Sequence, residues 1–163
     1  MNGVGKGLFA PDGSMNRAML VTVLWRLDGK PEASSEADFI DVPSDTWYTA
    51  AVAWAREAEI VYGVGGNCFD PTGEVTREQT AVILYRYARS KQMTDQSGDL
   101  SRFADRGEVS AWAEKAVSWA EAAGILRGAD ENGRLLLQPK NAITRAEAAA
   151  MLTRYCKAME EAE

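Results

Sequence analysis

Three arginines each follow a residue suited to cap a helix. Arg77 follows Thr76 in "TREQ", Arg145 follows Thr144 in "TRAE", and Arg17 follows Asn16 in "NRAM". Thr and Asn are favoured N-caps because the side-chain oxygen accepts a backbone N–H of the first turn. Gln79 and Glu147, three residues on, complete capping boxes. Each arginine is therefore expected in the first turn of a helix, where free amides and the positive end of the dipole favour an anion. A guanidinium presents a planar pair of donors that matches a carboxylate. Two readings stay open: the arginines receive an acidic ligand, or they form structural ion pairs with neighbouring carboxylates.

Other chemistry is poorly supplied. The chain has no histidine and two cysteines, Cys68 and Cys156, with no CxxC or Cys/His cluster. No metal site and no cofactor are expected. The cysteines are read as two small, partly buried side chains, with a disulfide as the alternative. Carboxylates are plentiful, but none stands in a nucleophile or metal arrangement, and pairing Asp41 with Glu78 as glycosidase carboxylates would be mere assertion. "GVGKG" and "GVGGN" lack the Lys-Ser/Thr of a phosphate loop. The chain is not expected to be an enzyme.

The net charge is −6 and the pI about 4.8. That balance speaks against nucleic acid, which requires a basic patch to displace counterions. An anionic partner would have to be caught by local arginines against an unfavourable overall field. No apolar run approaches the roughly 20 residues that span a bilayer, so no membrane insertion is expected. No basic segment followed by an apolar one opens this stretch, so a secretory signal is not expected within it.

The elements that must position the arginines repeat along the chain. "FIDVPSDTWYTAAVAWAREAEIVYG" from Phe39 matches "FADRGEVSAWAEKAVSWAEAAGILRG" from Phe103, and "FDPTGEVTREQTAVILYRY" from Phe69 matches "LQPKNAITRAEAAAMLTRY" from Leu137. "GVGKGLFAPDGSMNRAMLVTVLWRL" from Gly3 matches the second half of the Gly63 copy. The chain thus reads as a half repeat at 1–30 and two whole repeats at 37–92 and 101–157, and its start looks like a cut inside a longer protein. Each whole repeat opens with a helix A, expected at Trp47–Glu59 and Trp112–Ala123, whose Trp and Ala residues at helical spacing make an apolar stripe. A loop rich in Gly and Asn follows, with Gly63 and Gly128 expected near the C-terminal end of helix A in a left-handed conformation. Helix B follows the cap and carries apolar residues such as Val21, Leu84 and Leu152, so that three copies can pack as a bundle. No segment alternates as a strand, and the fold is expected to be all-α.

The order "FxDV…W…AV…A…I..G…F.P…TRE…A..L.R" resembles the S-layer homology family from Gly3 to Tyr155. The resemblance implies a pseudo-threefold assembly with a central bundle of helix B copies and short loop-helix prongs. It implies non-covalent anchoring of a surface protein to a secondary cell-wall polysaccharide, often through pyruvylated N-acetylmannosamine, and hence an extracellular location at the cell wall. Carried over position by position, the ligand-binding residues are Arg17, Arg77, Arg145, Asp41, Asp105, Trp47, Trp112, Gly63 and Gly128. A pyruvyl ketal presents a carboxylate for arginine, tryptophan can lie on a sugar C–H face, and aspartate can accept from hydroxyls. Asp41 and Asp105 are equally readable as caps of helix A. Trp54 and Trp119 are expected in the core. The sequence departs from the pattern at Asn16 and Met19, and at "FADRG" in the last copy.

A second reading is a structural or protein–protein interaction module using the inter-repeat grooves. The truncated first repeat would then recruit a missing helix A from another chain and make a homo-oligomer. A third, an accessory to a wall hydrolase, would require release of a reducing end from wall polymer.

Overall fold

The computed structural model describes residues 9–92 and 96–161. The opening of the half repeat, with "GVGKG", lies outside them. Five helices dominate: α1 (Arg17–Leu27), α2 (Thr49–Glu57), α3 (Arg77–Ser90), α4 (Glu114–Ala122) and α5 (Arg145–Glu160). Thus α1, α3 and α5 are the three copies of helix B, and α2 and α4 the two copies of helix A.

The helix B starts form where the caps stand. The Asn16 side chain accepts from Met19 N–H at 2.8 Å. Thr76 with Gln79, and Thr144 with Glu147, form complete capping boxes. The expectation of free amides beside the arginines is overturned, however. Arg17 and Ala18 donate to the carbonyls of Gly73 and Pro71, Arg77 and Glu78 to those of Asn141 and Pro139, and Arg145 and Ala146 to those of Gly13 and Pro11. The turn ahead of another helix B thus satisfies the first two amides of each copy, as a buried helix end requires. Just before the caps, the backbone closes a cycle: Met15 N–H donates to Ile143, Ile143 to Val75 and Val75 to Met15, at 3.0, 2.9 and 3.0 Å. All three side chains are buried.

Packing runs both between copies and within one. α1 lies on α2, and α3 on α4. Tyr85 of α3 meets Trp119 of α4 edge-on at 5.5 Å, and Trp54 of α2 meets Tyr87 of α3 at 5.9 Å. Tyr87 also stacks on Tyr155 of α5 at 5.5 Å and donates its hydroxyl to Asp28, the C-cap of α1. Trp54 and Trp119 are buried, as expected of core residues.

Helix A is shorter than its sequence pattern. Trp47 and Trp112 fall outside α2 and α4, in the preceding turns, and are 57% and 61% exposed. The caps of these helices are Tyr48 and Ala113, which make no side-chain capping bond, and each tryptophan stands in the hydrogen-bonded turn just ahead of its helix. The left-handed residues after helix A are Glu59 and Gly124 rather than Gly63 and Gly128. The latter pair is required by close approach: a Cβ at Gly63 would sit 2.7 Å from the Cys68 carbonyl oxygen, and one at Gly128 2.6 Å from the Phe103 ring.

The mostly helical fold contains one feature that reading the loops as strand-free missed. β1 (Ala129–Glu131) and β2 (Arg134–Leu136) form an antiparallel hairpin. Its two-residue turn is Asn132-Gly133, with φ of +54° and +77°, the signature of a turn that matches strand twist. Cys68 and Cys156 are free thiols, both partly buried.

Candidate functional site

Each arginine that follows a cap reaches across to the loop of another copy. Arg17 Nε donates to the Phe69 carbonyl at 2.7 Å and Nη2 to that of Tyr62 at 3.1 Å. Arg77 repeats this with Leu137 and Arg127, both at 2.7 Å. Arg145 Nε donates to the Phe9 carbonyl at 3.0 Å. All three residues are largely buried, 7%, 8% and 6% exposed. They do not stand open to solvent. Much of their donor capacity holds the neighbouring loop.

Asp41 and Asp105 brace the same loops from within their own repeat. The Asp41 carboxylate accepts from the N–H groups of Phe69 and Asp70, and Asp105 from those of Leu137 and Gln138, all at 2.7 Å. Neither caps helix A. The braced loops carry non-glycine residues in the left-handed region, Asp70 at φ +58° and Gln138 at +53°. That conformation is unfavourable for a side-chain-bearing residue unless its surroundings hold it.

Two grooves open where these loops meet helix B. The first, about 400 Å³, is lined by Arg17, Tyr62 and Gly63 on one side, Gln79 and Arg86 of α3 on another, and Trp112 at the rim. Val82 and Ile83 supply a buried apolar floor. The second, about 230 Å³, is its counterpart one copy on, with Arg77, Gly128, Glu147 and Arg154 in the corresponding places and no tryptophan. Thus Arg17, Gly63 and Trp112 converge, Arg77 and Gly128 converge separately, Asp41 and Asp105 support the loops, and Trp47 lines neither groove. Trp47 instead packs edge-on against Tyr48 at 5.1 Å.

Arg86 and Arg154 are additional cationic residues that site reading from the sequence passed over. Their positions match between copies, in "LYR" and "LTR", and that repetition was the available signal. Arg86 lies over the Tyr62 ring at 4.5 Å. Burial pulls the Arg17 pKa below its ordinary value; Asp70 opposes this, while the nearby Arg86 charge lowers it further. Arg77 is depressed in the same way by burial, with Glu147 opposing and Arg154 adding. Each groove therefore brings together two guanidinium groups that repel one another, an arrangement an incoming anion relieves. A larger depression of about 830 Å³, between Ser97–Ser101 and α4, mixes Asp99 and Glu114 with Arg106 and Lys115 and contains no aromatic residue. It lacks this concentration of one sign.

The profile of the family described as the S-layer homology domain matches residues 38–81 and 102–149, more than half of the chain. The chain belongs to the S-layer homology family. Over 154 residues this S-layer homology chain is 33% identical to the Surface-layer 125 kDa protein of Lysinibacillus sphaericus, covering 94% of this chain and 13% of that protein. It is 32% identical over 145 residues to an Amylopullulanase of Thermoanaerobacterium thermosulfurigenes, covering 88% of the chain and 8% of the relative. It is 27% identical over 159 residues to a Cellulosome-anchoring protein of Acetivibrio thermocellus, covering 94% of the chain and 34% of the relative. The chain therefore spans a minor part of each of these proteins, whose names range from surface-layer to enzyme. Among the described residues, no helix is long and apolar enough to cross a membrane.

Proposed function

We propose that this S-layer homology module anchors a surface protein, without covalent linkage or catalysis, to an acidic secondary polysaccharide of the cell wall, with a pyruvylated N-acetylmannosamine as the recognised sugar. The observation that carries the reading is the convergence of Arg17, Arg86 and Trp112 on one groove with an apolar floor. Two cations suit the pyruvyl carboxylate, and an exposed indole suits a sugar C–H face. Gly63 lets the sugar approach the main chain. The family's surface-layer and anchoring members agree with an extracellular location at the wall. On this reading the cycle of Met15, Val75 and Ile143 is the hub of a pseudo-threefold assembly, and the repeats fall at 1–30, 37–92 and 101–157.

Cosedimentation with purified cell walls tests it. Pelleting should be lost when pyruvate is removed from the walls, fall at high ionic strength, and weaken in Arg86→Gln and Trp112→Ala. Undiminished pelleting with depyruvylated walls overturns the reading.

A homo-oligomer is the second reading; α1 of the truncated first repeat is already covered by α2, so the face that favours it is on α5 instead. Thr153 of α5 is exposed, whereas Tyr85 at the matching place on α3 is buried against α4. The same face of a second chain would suit it. Light scattering across a concentration series should then show a dimer that Thr153→Lys abolishes; a monomer at every concentration removes this reading.

A further inference from the structure

Besides the tryptophan that lines the first alone, the two grooves differ in the side chain three residues after the cap. Three residues after each cap stand Met19, Gln79 and Glu147, and each faces an arginine from a different copy. Met19 Sδ lies 3.9 Å from Arg145 Nη1. Glu147 Oε1 lies 3.6 Å from Arg77 Nη1. Gln79 lines the groove with Arg17. Both the Gln79 and the Glu147 side chain close a capping box, through Oε1 to the Thr76 N–H at 3.0 Å and through Oε2 to the Thr144 N–H at 2.8 Å. The atom left over is an amide donor in the first case and a carboxylate oxygen in the second.

We propose that Gln79 keeps the Arg17 groove receptive to an acidic sugar, whereas Glu147 closes the Arg77 groove by setting its own carboxylate on the guanidinium, so that of these two grooves the first does the binding. This rests on the anchoring reading above. Arg17 has no carboxylate paired with it among the described residues; its donors meet the carbonyls of Phe69 and Tyr62. Asp70 and Asp41 act on it electrostatically, but neither lines the groove. In the second groove Glu147 is a lining residue, so an arriving carboxylate meets a like charge. The second groove also has no aromatic lining to stack on a sugar. Gln79 is thus a specificity-determining residue, and it adds a donor where its counterpart adds a negative charge.

The test is calorimetric titration with the methyl glycoside of pyruvylated N-acetylmannosamine, with the Trp112 indole N–H followed by NMR. The wild type should bind the sugar and shift the Trp112 signal. Gln79→Glu should weaken binding about tenfold or more, and it should fold, because glutamate already closes the box at position 147. Gln79→Met, which copies Met19, guards against a loss of folding: it should bind more tightly than Gln79→Glu, since it adds no charge. Glu147→Gln should create a second binding event. A site in the wild type that Arg154→Gln removes, or a Gln79→Glu protein that binds like the wild type, overturns the groove assignment while leaving anchoring intact. A wild type that ignores the pyruvylated sugar removes the anchoring chemistry and this inference with it.

Discussion

Asp41 and Arg17 grip one peptide group from opposite sides. The Asp70 N–H donates to Asp41 Oδ2, and the Phe69 carbonyl of the same peptide accepts from Arg17 Nε, each at 2.7 Å. Asp105 and Arg77 hold the Leu137–Gln138 peptide identically. The aspartate comes from the loop's own repeat and the arginine from another, so the grip joins copies as well as shaping a loop. Asp41→Ala should cost about 3–6 kcal/mol, the range for losing two charge-assisted hydrogen bonds. Asp105→Ala should cost a similar amount. Urea unfolding measures both, and a change under about 0.5 kcal/mol would refute the clamp.

The two tryptophans of the last repeat should behave oppositely. Trp119 is 3% exposed and packs on Tyr85, so Trp119→Ala should lose about 3–5 kcal/mol. Trp112 is 61% exposed, so Trp112→Ala should stay within about 0.5 kcal/mol of the parent, yet weaken wall pelleting. Thermal melts run beside cosedimentation separate the two effects.

Gly63→Ala should destabilise by about 1–3 kcal/mol, because its Cβ would meet a backbone carbonyl oxygen at 2.7 Å. Gly107→Ala is the control, since a Cβ there has open space. Equal melting temperatures for the two variants would show that the loop gives way freely.

Stability should fall in alkali. Burial, then the charge of Asp28, raises the Tyr87 hydroxyl well above its usual pKa, and burial does the same for Tyr155. A folded pKa above the unfolded value of about 10 means that the folded state holds its protons longer. The stabilisation is therefore complete below about pH 10 and drains away as pH rises toward the folded values. Melts between pH 8 and 11 should show this decline, and Tyr87→Phe should flatten it.

Much of this molecule was legible in residue order alone. Caps and capping boxes are local, because the acceptor and the amide it satisfies lie within one turn; Asn16, Thr76 and Thr144 therefore marked the helix B starts. Internal repetition exposed the copies for a similar reason, since equivalent residues do equivalent work. Asn132-Gly133 was equally local, and the hairpin it turns was there to be read.

What tertiary structure alone decided is where each arginine points. Type and spacing placed Arg17 and Arg77 in the first turn of a helix. Their partners are carbonyls 45 to 60 residues away, supplied by another copy's loop. The same distance in sequence hid the meeting of Trp112 with Arg17 and Arg86, and the difference between Gln79 and Glu147 as faces of a groove. A short-range hydrogen bond depends on neighbours that residue order names. A groove depends on how segments distant in the chain meet, and that follows from packing the whole core.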